Sequence, residues 1–209
     1  AEIRDATKGR TDYEASHIRN AVFADLDVDL SGLTQKGALG RHPLPTDAAL
    51  SAAFSRWNLT PDTHVVAYDD SNGALAAARL WWLLRLAGHK HAYVLDAGFA
   101  AWRAAGLPLE SGKEKTRDAH IEAKLDRREV VFIDELERRR HEGTILLVDA
   151  RAAPRYRGEI EPIDPKAGHV PGALNRPFSD NLDASGRFKS AEHLRGEFYA
   201  LIGAFQPWQ

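Results

Sequence analysis

Arginine side chains that follow one short apolar run are the groups of this chain best suited to bind an anion. The run at residues 145–148 leads into Asp149 and Arg151, and Arg155 and Arg157 come shortly afterwards. A guanidinium offers parallel N–H donors that match two oxygens of an anion. If the run is a strand of a parallel sheet, these residues lie at the carboxyl edge, where α/β proteins bind ligands. The pattern therefore favours a small anion as ligand of the second half.

Two neighbouring aspartates, Asp69 and Asp70, close an apolar run in the first half. They could form a nucleophile or metal pair, as in phosphotransfer enzymes. No Lys, Ser or Thr partner motif accompanies them, so capping of the following helix is the favoured interpretation. Asp25, Asp27 and Asp29 alternate like the start of a calcium loop, but no glycine or closing glutamate falls at the required positions. We therefore predict no metal site.

Composition excludes several kinds of site. Cys and Met are both absent from the 209 residues, so these residues hold no disulfide, thiolate metal site or cysteine nucleophile. A net charge of −2 and a pI of about 6.5 do not suggest a surface for polyanions, so no nucleic-acid partner is expected. No apolar run reaches the roughly 18 residues of a membrane span. We expect a cytoplasmic protein without membrane contacts.

The same landmarks recur in order in the two halves of the chain. Asp5 and Asp149 lie 144 positions apart, and His17 and His169 lie 152 apart. Further pairs in the same order are Phe23 with Phe178, Ser31 with Ser185, and Leu50 with Leu194. Loop insertions and deletions explain the changing offset, including about eight residues gained within 158–165. The chain is therefore interpreted as a duplication.

The composition changes near residue 115, where Ser, Gly and alternating charges replace apolar periodicity. We predict a first domain over residues 1–114 and a linker over residues 115–126. The first part of a second domain follows over residues 127–209.

Apolar periodicity predicts an α/β fold in the first half. Residues 64–68 and 91–95 form β-rich runs, and residues 74–87 and 99–105 have the composition and apolar stripe of helices. Strand, helix and strand joined by short loops indicate right-handed crossovers and a parallel sheet.

The second half carries similar signals. Residues 130–133 and 145–148 are predicted strands, and residues 135–142 form a predicted helix between them. Ser190 is predicted to cap a further helix with its apolar residues on one face.

Long ordered motifs connect these elements to a known family. In the second half they are DARAAPRYRG at 149–158, GHVPGA at 168–173 and NLDASGRF at 181–188. In the first half they are His17-Ile18, GRHPLP at 40–45, YDD at 68–70, ARLWW at 78–82 and LDAGFAAW at 95–102. The chain resembles the tandem-domain rhodanese family of thiosulfate and 3-mercaptopyruvate sulfurtransferases over nearly its whole length.

The resemblance implies two rhodanese-like domains, each a five-stranded parallel sheet flanked by helices, with the second incomplete in these residues. It implies that a cysteine of the second domain takes sulfur from a donor as a persulfide and passes it to cyanide or a thiol. No cofactor is expected. The expected partners are a small anionic sulfur donor and a thiophilic acceptor.

The repeat predicts where that cysteine lies. Asp69 occupies the cysteine-equivalent place in the first, inactive domain, in a loop that also contains Asp70. The offset of 144 from Asp69 leads to about position 213, so we expect the cysteine just after Gln209. The remaining C-terminal segment of the second domain is then a further expected partner.

The resemblance also assigns roles to residues of the second half. Arg155 matches the family arginine that contacts the anionic end of the donor. A surface ion pair with Glu159 or Glu161 is the alternative. Arg157 is a second candidate for the substrate anion. Asp149, Arg151 and His169 are predicted to support the site, His169 by a ring hydrogen bond that holds a loop.

The absence of one arginine predicts which sulfur donor is used. The family often places an arginine directly after a Glu-Pro dipeptide, where it would serve the carboxylate of mercaptopyruvate. Here Glu161-Pro162 is followed by Ile163-Asp164, which favours thiosulfate. Two other functions remain open: a cysteine-less rhodanese-like module that binds an anion or a partner, and an α/β hydrolase that uses the aspartates.

Overall fold

The computed structural model describes residues 6–32, 40–113 and 119–203. The chain divides into two compact units, Ala1–Glu129 and Val130–Gln209. None of the helices in the described ranges has the length and apolar character needed to cross a membrane.

Helices and very short strands alternate in the first unit. The helices are α1 (Ala6–Ala15), α2 (Asp47–Arg56), α3 (Ala76–Leu86) and α4 (Gly98–Ala104). The strands are β1 (His17–Ile18), β2 (Val65–Ala67), β3 (Ala92–Val94) and β4 (Leu109–Glu110), and a 3-10 turn covers Arg127–Glu129.

A parallel strand pair lies at the centre of the first unit. β2 and β3 pair with Val65 opposite Ala92 and Ala67 opposite Val94, and α3 connects them. The strand, helix and strand predicted over this stretch are therefore confirmed, with slightly shorter bounds. β1 and β4 form a separate antiparallel pair.

Leucines of two helices form much of the core of the first unit. Leu50 of α2 and Leu83 and Leu84 of α3 have no exposed surface. Burying a leucine side chain contributes about 1.5–3 kcal/mol relative to leaving it in water. This packing fixes α3, and with it the loop that precedes α3, against the parallel strands.

An extended segment that includes part of the predicted linker packs on α2. The Ser51 hydroxyl accepts the N–H of Ala123 and donates to its carbonyl, at 2.9 and 3.2 Å. Ser55 makes the same two bonds to Ile121, at 3.0 and 3.3 Å. The first unit thus extends to Glu129, whereas the predicted linker covered residues 115–126. Residues 115–118 lie outside the described residues.

The second unit contains α5 (Ile133–His141), β5 (Val148–Asp149), α6 (Ala153–Tyr156), β6 (Leu174–Asn175) and α7 (Ala191–Ile202), with a 3-10 turn at Phe178–Asn181. β5 and β6 pair in parallel, with Val148 opposite Leu174. The Ser190 hydroxyl accepts the N–H of His193 at 3.2 Å and caps α7, as predicted.

Two details differ from the sequence predictions. The strand predicted at residues 130–133 is wrong, because α5 begins at Ile133 and the apolar side chains of Phe132 and Ile133 are 52% and 66% exposed. The described residues form three sheets of two strands each. Five strands per sheet therefore stay a prediction, whereas the α/β class is confirmed.

The two units share one tyrosine–histidine arrangement. The His17 ring stacks on Tyr13 with centroids 4.0 Å apart, and the His169 ring stacks on Tyr156 at 3.7 Å. Each histidine Nδ1 lies 2.7 Å from the backbone carbonyl of its tyrosine. Each tyrosine hydroxyl donates at 2.6 Å to a backbone carbonyl further along, that of Ala21 or of Ala173. This equivalence supports internal duplication.

Removing either tyrosine hydroxyl should destabilise the protein to a similar extent. Tyr13→Phe and Tyr156→Phe each leave a carbonyl without its donor, which we expect to cost about 1 kcal/mol of unfolding free energy. Denaturant unfolding measures the change, with Tyr199→Phe as control because Tyr199 is 61% exposed. A loss no larger than that of Tyr199→Phe would contradict a structural role for the arrangement.

Candidate active-site edge in the second unit

The end of β5 begins the candidate site. Asp149 is the last residue of β5, and the short helix α6 starts four residues later with a proline in its first turn. Proline fits this position because its fixed φ suits a helix and its missing N–H is not needed there. α6 therefore places Arg155 just beyond the carboxyl end of the strand.

Arg151 is held by several acceptors. Its Nε lies 3.0 Å from both oxygens of Asp149, and its Nη2 lies 2.6 Å from Asp149 Oδ2. Nη2 also donates to the carbonyl of Gly168 at 2.6 Å. Hydrogen bonding to Arg151 lowers the pKa of Asp149. The pair ties the strand end to the segment before His169, consistent with the predicted support role.

Arg155 binds two carboxylates of the loop that follows α6. Its Nε and Nη2 donate to Glu161 at 3.2 and 2.7 Å, and Nη2 also donates to Asp164 at 2.9 Å. Arg151 Nη1 reaches the same Glu161 carboxylate at 3.3 Å. The ion pair with Glu161, the alternative considered from sequence, is therefore present. Asp164 is a partner that sequence reasoning missed.

Arg157 lies apart from this cluster. Its guanidinium pairs with Glu159 at 2.6 Å, and both side chains are about half exposed. Among the described residues the structure does not bring Arg157 to the partners of Arg155. Its predicted contact with the substrate gains no support from this geometry.

Acid should weaken the second unit through Glu161. Hydrogen bonds from Arg155 and from the N–H of Asp164 lower the pKa of Glu161 from 4.5 to about 2. A carboxyl with a depressed folded-state pKa stabilises above its unfolded pKa, and that stability is lost as pH falls towards the folded value. We expect the unfolding free energy to fall between pH 4.5 and 2, and less steeply in Glu161→Gln. Equal slopes in denaturant titrations would contradict this.

Charges around the equivalent tyrosines are opposite in the two units. Tyr156 lies between Arg155 and Arg157, whereas Tyr13 lies between Asp12 and Glu14. The stacked histidines establish that the two tyrosines are equivalent. The second copy therefore offers cations where the first offers carboxylates. This reversal is readable in the sequence once the tyrosines are aligned, and it was missed because the histidines follow them at different spacings.

The aspartate loop of the first unit encloses its own carboxylate. Asp69 Oδ1 accepts the N–H groups of Ser71 and Gly73, both at 2.8 Å. Asp69 Oδ2 accepts those of Leu75 and Ala77, both at 3.1 Å. Asp69 thus caps α3, as expected from sequence. A series of N–H groups around one anionic group is a nest.

Close backbone packing holds this loop in place. A Cβ on Gly98 would lie 2.8 Å from Asn72 Cα and 3.0 Å from the carbonyl oxygen of Asp69, and its φ is +61°. Only glycine accepts both the close backbone contacts and the positive φ without strain. The start of α4 therefore packs against the backbone of this loop. The side chain of Asp70, in the same loop, is exposed.

A cavity of about 520 Å³ in the first unit includes both aspartates in its lining. Three further carboxylates, those of Asp12, Asp25 and Asp27, line it, and its described lining residues include no Lys or Arg. Carboxylates that line a cavity disfavour the binding of an anion there. The first unit is therefore poorly suited to an anionic donor.

Comparisons with known proteins agree with this organisation. The rhodanese-like domain family matches residues 2–105. A protein of Pseudomonas aeruginosa named "Probable 3-mercaptopyruvate sulfurtransferase" is 45% identical over 201 residues, covering 96% of this chain and 70% of its own. Thiosulfate sulfurtransferase of Gallus gallus is 32% identical over 198 residues, covering 94% of this chain and 66% of its own.

A solved structure has the same fold. 3-Mercaptopyruvate sulfurtransferase from Leishmania major superposes with a TM-score of 0.81 at 30% identity, over 97% of this chain and 56% of that protein. The chain thus spans between about half and 70% of these relatives. The fold, the motifs and the identities together place the chain in the rhodanese family of sulfurtransferases.

Proposed function

We propose that the second unit supplies the donor-binding edge of a sulfurtransferase that works through a cysteine persulfide. The observation that carries the proposal is the charge reversal between the units. Arg155 and Arg157 replace Asp12 and Glu14 around equivalent tyrosines. An anionic donor would therefore meet guanidinium donors at this position in the second unit and carboxylates in the first. Arg155 is the proposed donor contact because it lies beside the strand end.

The catalytic cysteine is proposed from the repeat. Asp69 lies two residues after β2 and before α3, and the offset of 144 gives its counterpart at about position 213. A loop like the one around Asp69 would surround a side chain there with N–H groups. Such groups favour a thiolate over a thiol. A strand and helix equivalent to β2 and α3 would also extend the sheet of the second unit towards five strands.

The proposed chemistry transfers one sulfur atom in two displacements. The thiolate attacks the outer sulfur of thiosulfate, the S–S bond of the donor breaks, and sulfite leaves with the electron pair. The enzyme then carries a persulfide. Cyanide attacks the outer sulfur of the persulfide, thiocyanate leaves, and the thiolate is restored. These two displacement steps require no cofactor.

Thiosulfate is the proposed donor because Ile163 follows Glu161-Pro162 directly, at the position where the family often has an arginine for the mercaptopyruvate carboxylate. In the structure Asp164 adds a negative charge 2.9 Å from Arg155. The Pseudomonas aeruginosa relative bears the name of the other donor, so the choice needs a direct comparison.

A steady-state assay tests the proposal. The polypeptide continued past position 213 is supplied with thiosulfate or 3-mercaptopyruvate and with cyanide, and thiocyanate is measured. We expect turnover with both donors and a higher kcat/KM for thiosulfate. Anion binding without thiocyanate from either donor would contradict sulfur transfer and favour a non-catalytic binding module. A higher kcat/KM for 3-mercaptopyruvate would overturn the donor assignment alone.

A further inference from the structure

The loop between Gly158 and Gly168 is an addition to the second unit. Tyr13 and His17 are four positions apart, whereas Tyr156 and His169 are 13 apart, yet both pairs stack and bond in the same way. The tyrosine–histidine arrangement therefore does not need the extra residues. The added loop carries Glu161 and Asp164, both of which bind Arg155.

The base of this loop is closed by two glycines. Gly158 has φ +77° and Gly168 has φ +97°. A Cβ on Gly158 would lie 3.2 Å from the backbone N of Gly168. The two ends of the loop therefore touch, and its middle projects back over α6. This closure delivers the loop carboxylates to the guanidinium.

Glu161 anchors the loop. Its side chain is 6% exposed and contacts both Arg155 and Arg151. Its Oε1 also accepts the N–H groups of Ile163 and Asp164, at 3.0 and 2.9 Å. Several charge-assisted bonds at a buried position are costly to break together. An incoming anion would not easily displace Glu161.

Asp164 is the more easily displaced carboxylate. It is 43% exposed, and it accepts its hydrogen bond from Arg155 Nη2, the same nitrogen that donates to Glu161. A partly exposed ion pair contributes little free energy, because water competes for both of its charged groups. An anion that binds Nη2 from the solvent side would compete with this contact first.

The charge of the cluster explains why such competition matters. Two guanidiniums, those of Arg151 and Arg155, meet three carboxylates, those of Asp149, Glu161 and Asp164. The cluster therefore carries one net negative charge. In this arrangement it does not attract a further anion, and loss of the Asp164 contact would remove the excess negative charge at Arg155.

We propose that Asp164 is an internal competitor of the anionic donor, occupying the Arg155 guanidinium and limiting donor affinity until a donor displaces it. The inference deepens the proposed function and rests on Arg155 being its donor contact. Glu161 then acts as a positioning residue that keeps Arg155 oriented while Asp164 leaves.

Anion binding tests this without requiring turnover. Sodium thiosulfate is titrated into the chain at constant ionic strength, and the Arg155 Nε–H signal is followed by NMR. We expect Asp164→Asn to tighten thiosulfate binding by roughly two- to fivefold, since the pair is partly exposed. Glu159→Gln is the matched control. It removes the same charge from the same loop, but Glu159 pairs with Arg157 and not with Arg155.

The outcomes are distinct. The proposal is supported if Asp164→Asn tightens thiosulfate binding more than Glu159→Gln does, and if this gain disappears when Arg155→Lys is added. Equal affinities in the two single variants overturn it, as does weaker or undetectable binding in Asp164→Asn with an unchanged unfolding midpoint. Sulfur transfer is measured separately, so its absence would overturn the proposed function while leaving the binding result to decide the role of Asp164.

Discussion

Asp69→Ala should lower the unfolding free energy of the chain by about 3 kcal/mol. Four backbone N–H groups lose a charged acceptor, and bonds to charged groups contribute about 1.5–3 kcal/mol each before the loop relaxes and water enters. The helix α3 also loses the carboxylate at its N-terminus, where an anion is favoured. Denaturant unfolding at neutral pH measures the loss.

Two variants make this result specific. Asp70→Ala removes the same charge one position away from an exposed side chain, and we expect a change within about 0.5 kcal/mol. Asp69→Asn keeps only one acceptor oxygen for the four donors, so its loss should lie between the two. If Asp69→Ala and Asp70→Ala were equally stable, the carboxylate would not be what organises the loop.

Arg155→Ala should raise the KM for the sulfur donor by about ten- to a hundredfold in a polypeptide that contains the cysteine. Loss of a hydrogen bond to a charged group costs about 1.5–3 kcal/mol, and each 1.36 kcal/mol is tenfold. A contact made equally in the bound and transition states changes KM and leaves kcat nearly constant. Steady-state kinetics over a range of thiosulfate concentrations separate the two constants.

Arg157→Ala provides the matched comparison. It removes an equal charge two residues away, from a half-exposed pair with Glu159, and we expect KM to change by about twofold or less. Since Arg155 also holds the Gly158–Gly168 loop, the unfolding midpoint of each variant is measured alongside. An unchanged KM in a folded Arg155→Ala protein would remove Arg155 from the donor site.

Periodicity predicted the elements whose apolar side chains are buried together. The stretch from β2 through α3 to β3 was found because Leu83 and Leu84 lie in the core beside a β-rich run. α1 was not predicted, since it has no continuous apolar stripe. The apolar run before α5 suggested a strand, yet Phe132 is exposed and the run has no strand partner within the described part of the chain.

The residues of the candidate site could be predicted from the sequence, but their ion-pair partners could be predicted only in part. Asp149, Arg151 and Arg155 follow from the position of a strand end, and Glu161 was already an alternative partner of Arg155. Asp164 could not be assigned, because its contact depends on how the Gly158–Gly168 loop closes. The opposite charges around Tyr13 and Tyr156 needed the shared stacking geometry before the two residues could be aligned.

The site of persulfide formation tests the central claim most directly. The polypeptide continued past position 213 is treated with thiosulfate and digested, and peptide masses are compared with an untreated sample. We expect a gain of one sulfur atom, about 32 Da, on a cysteine peptide from the loop near position 213, and none on the 209 residues, which contain no cysteine. Thiocyanate production without that modified peptide, or by the 209 residues alone, would contradict it.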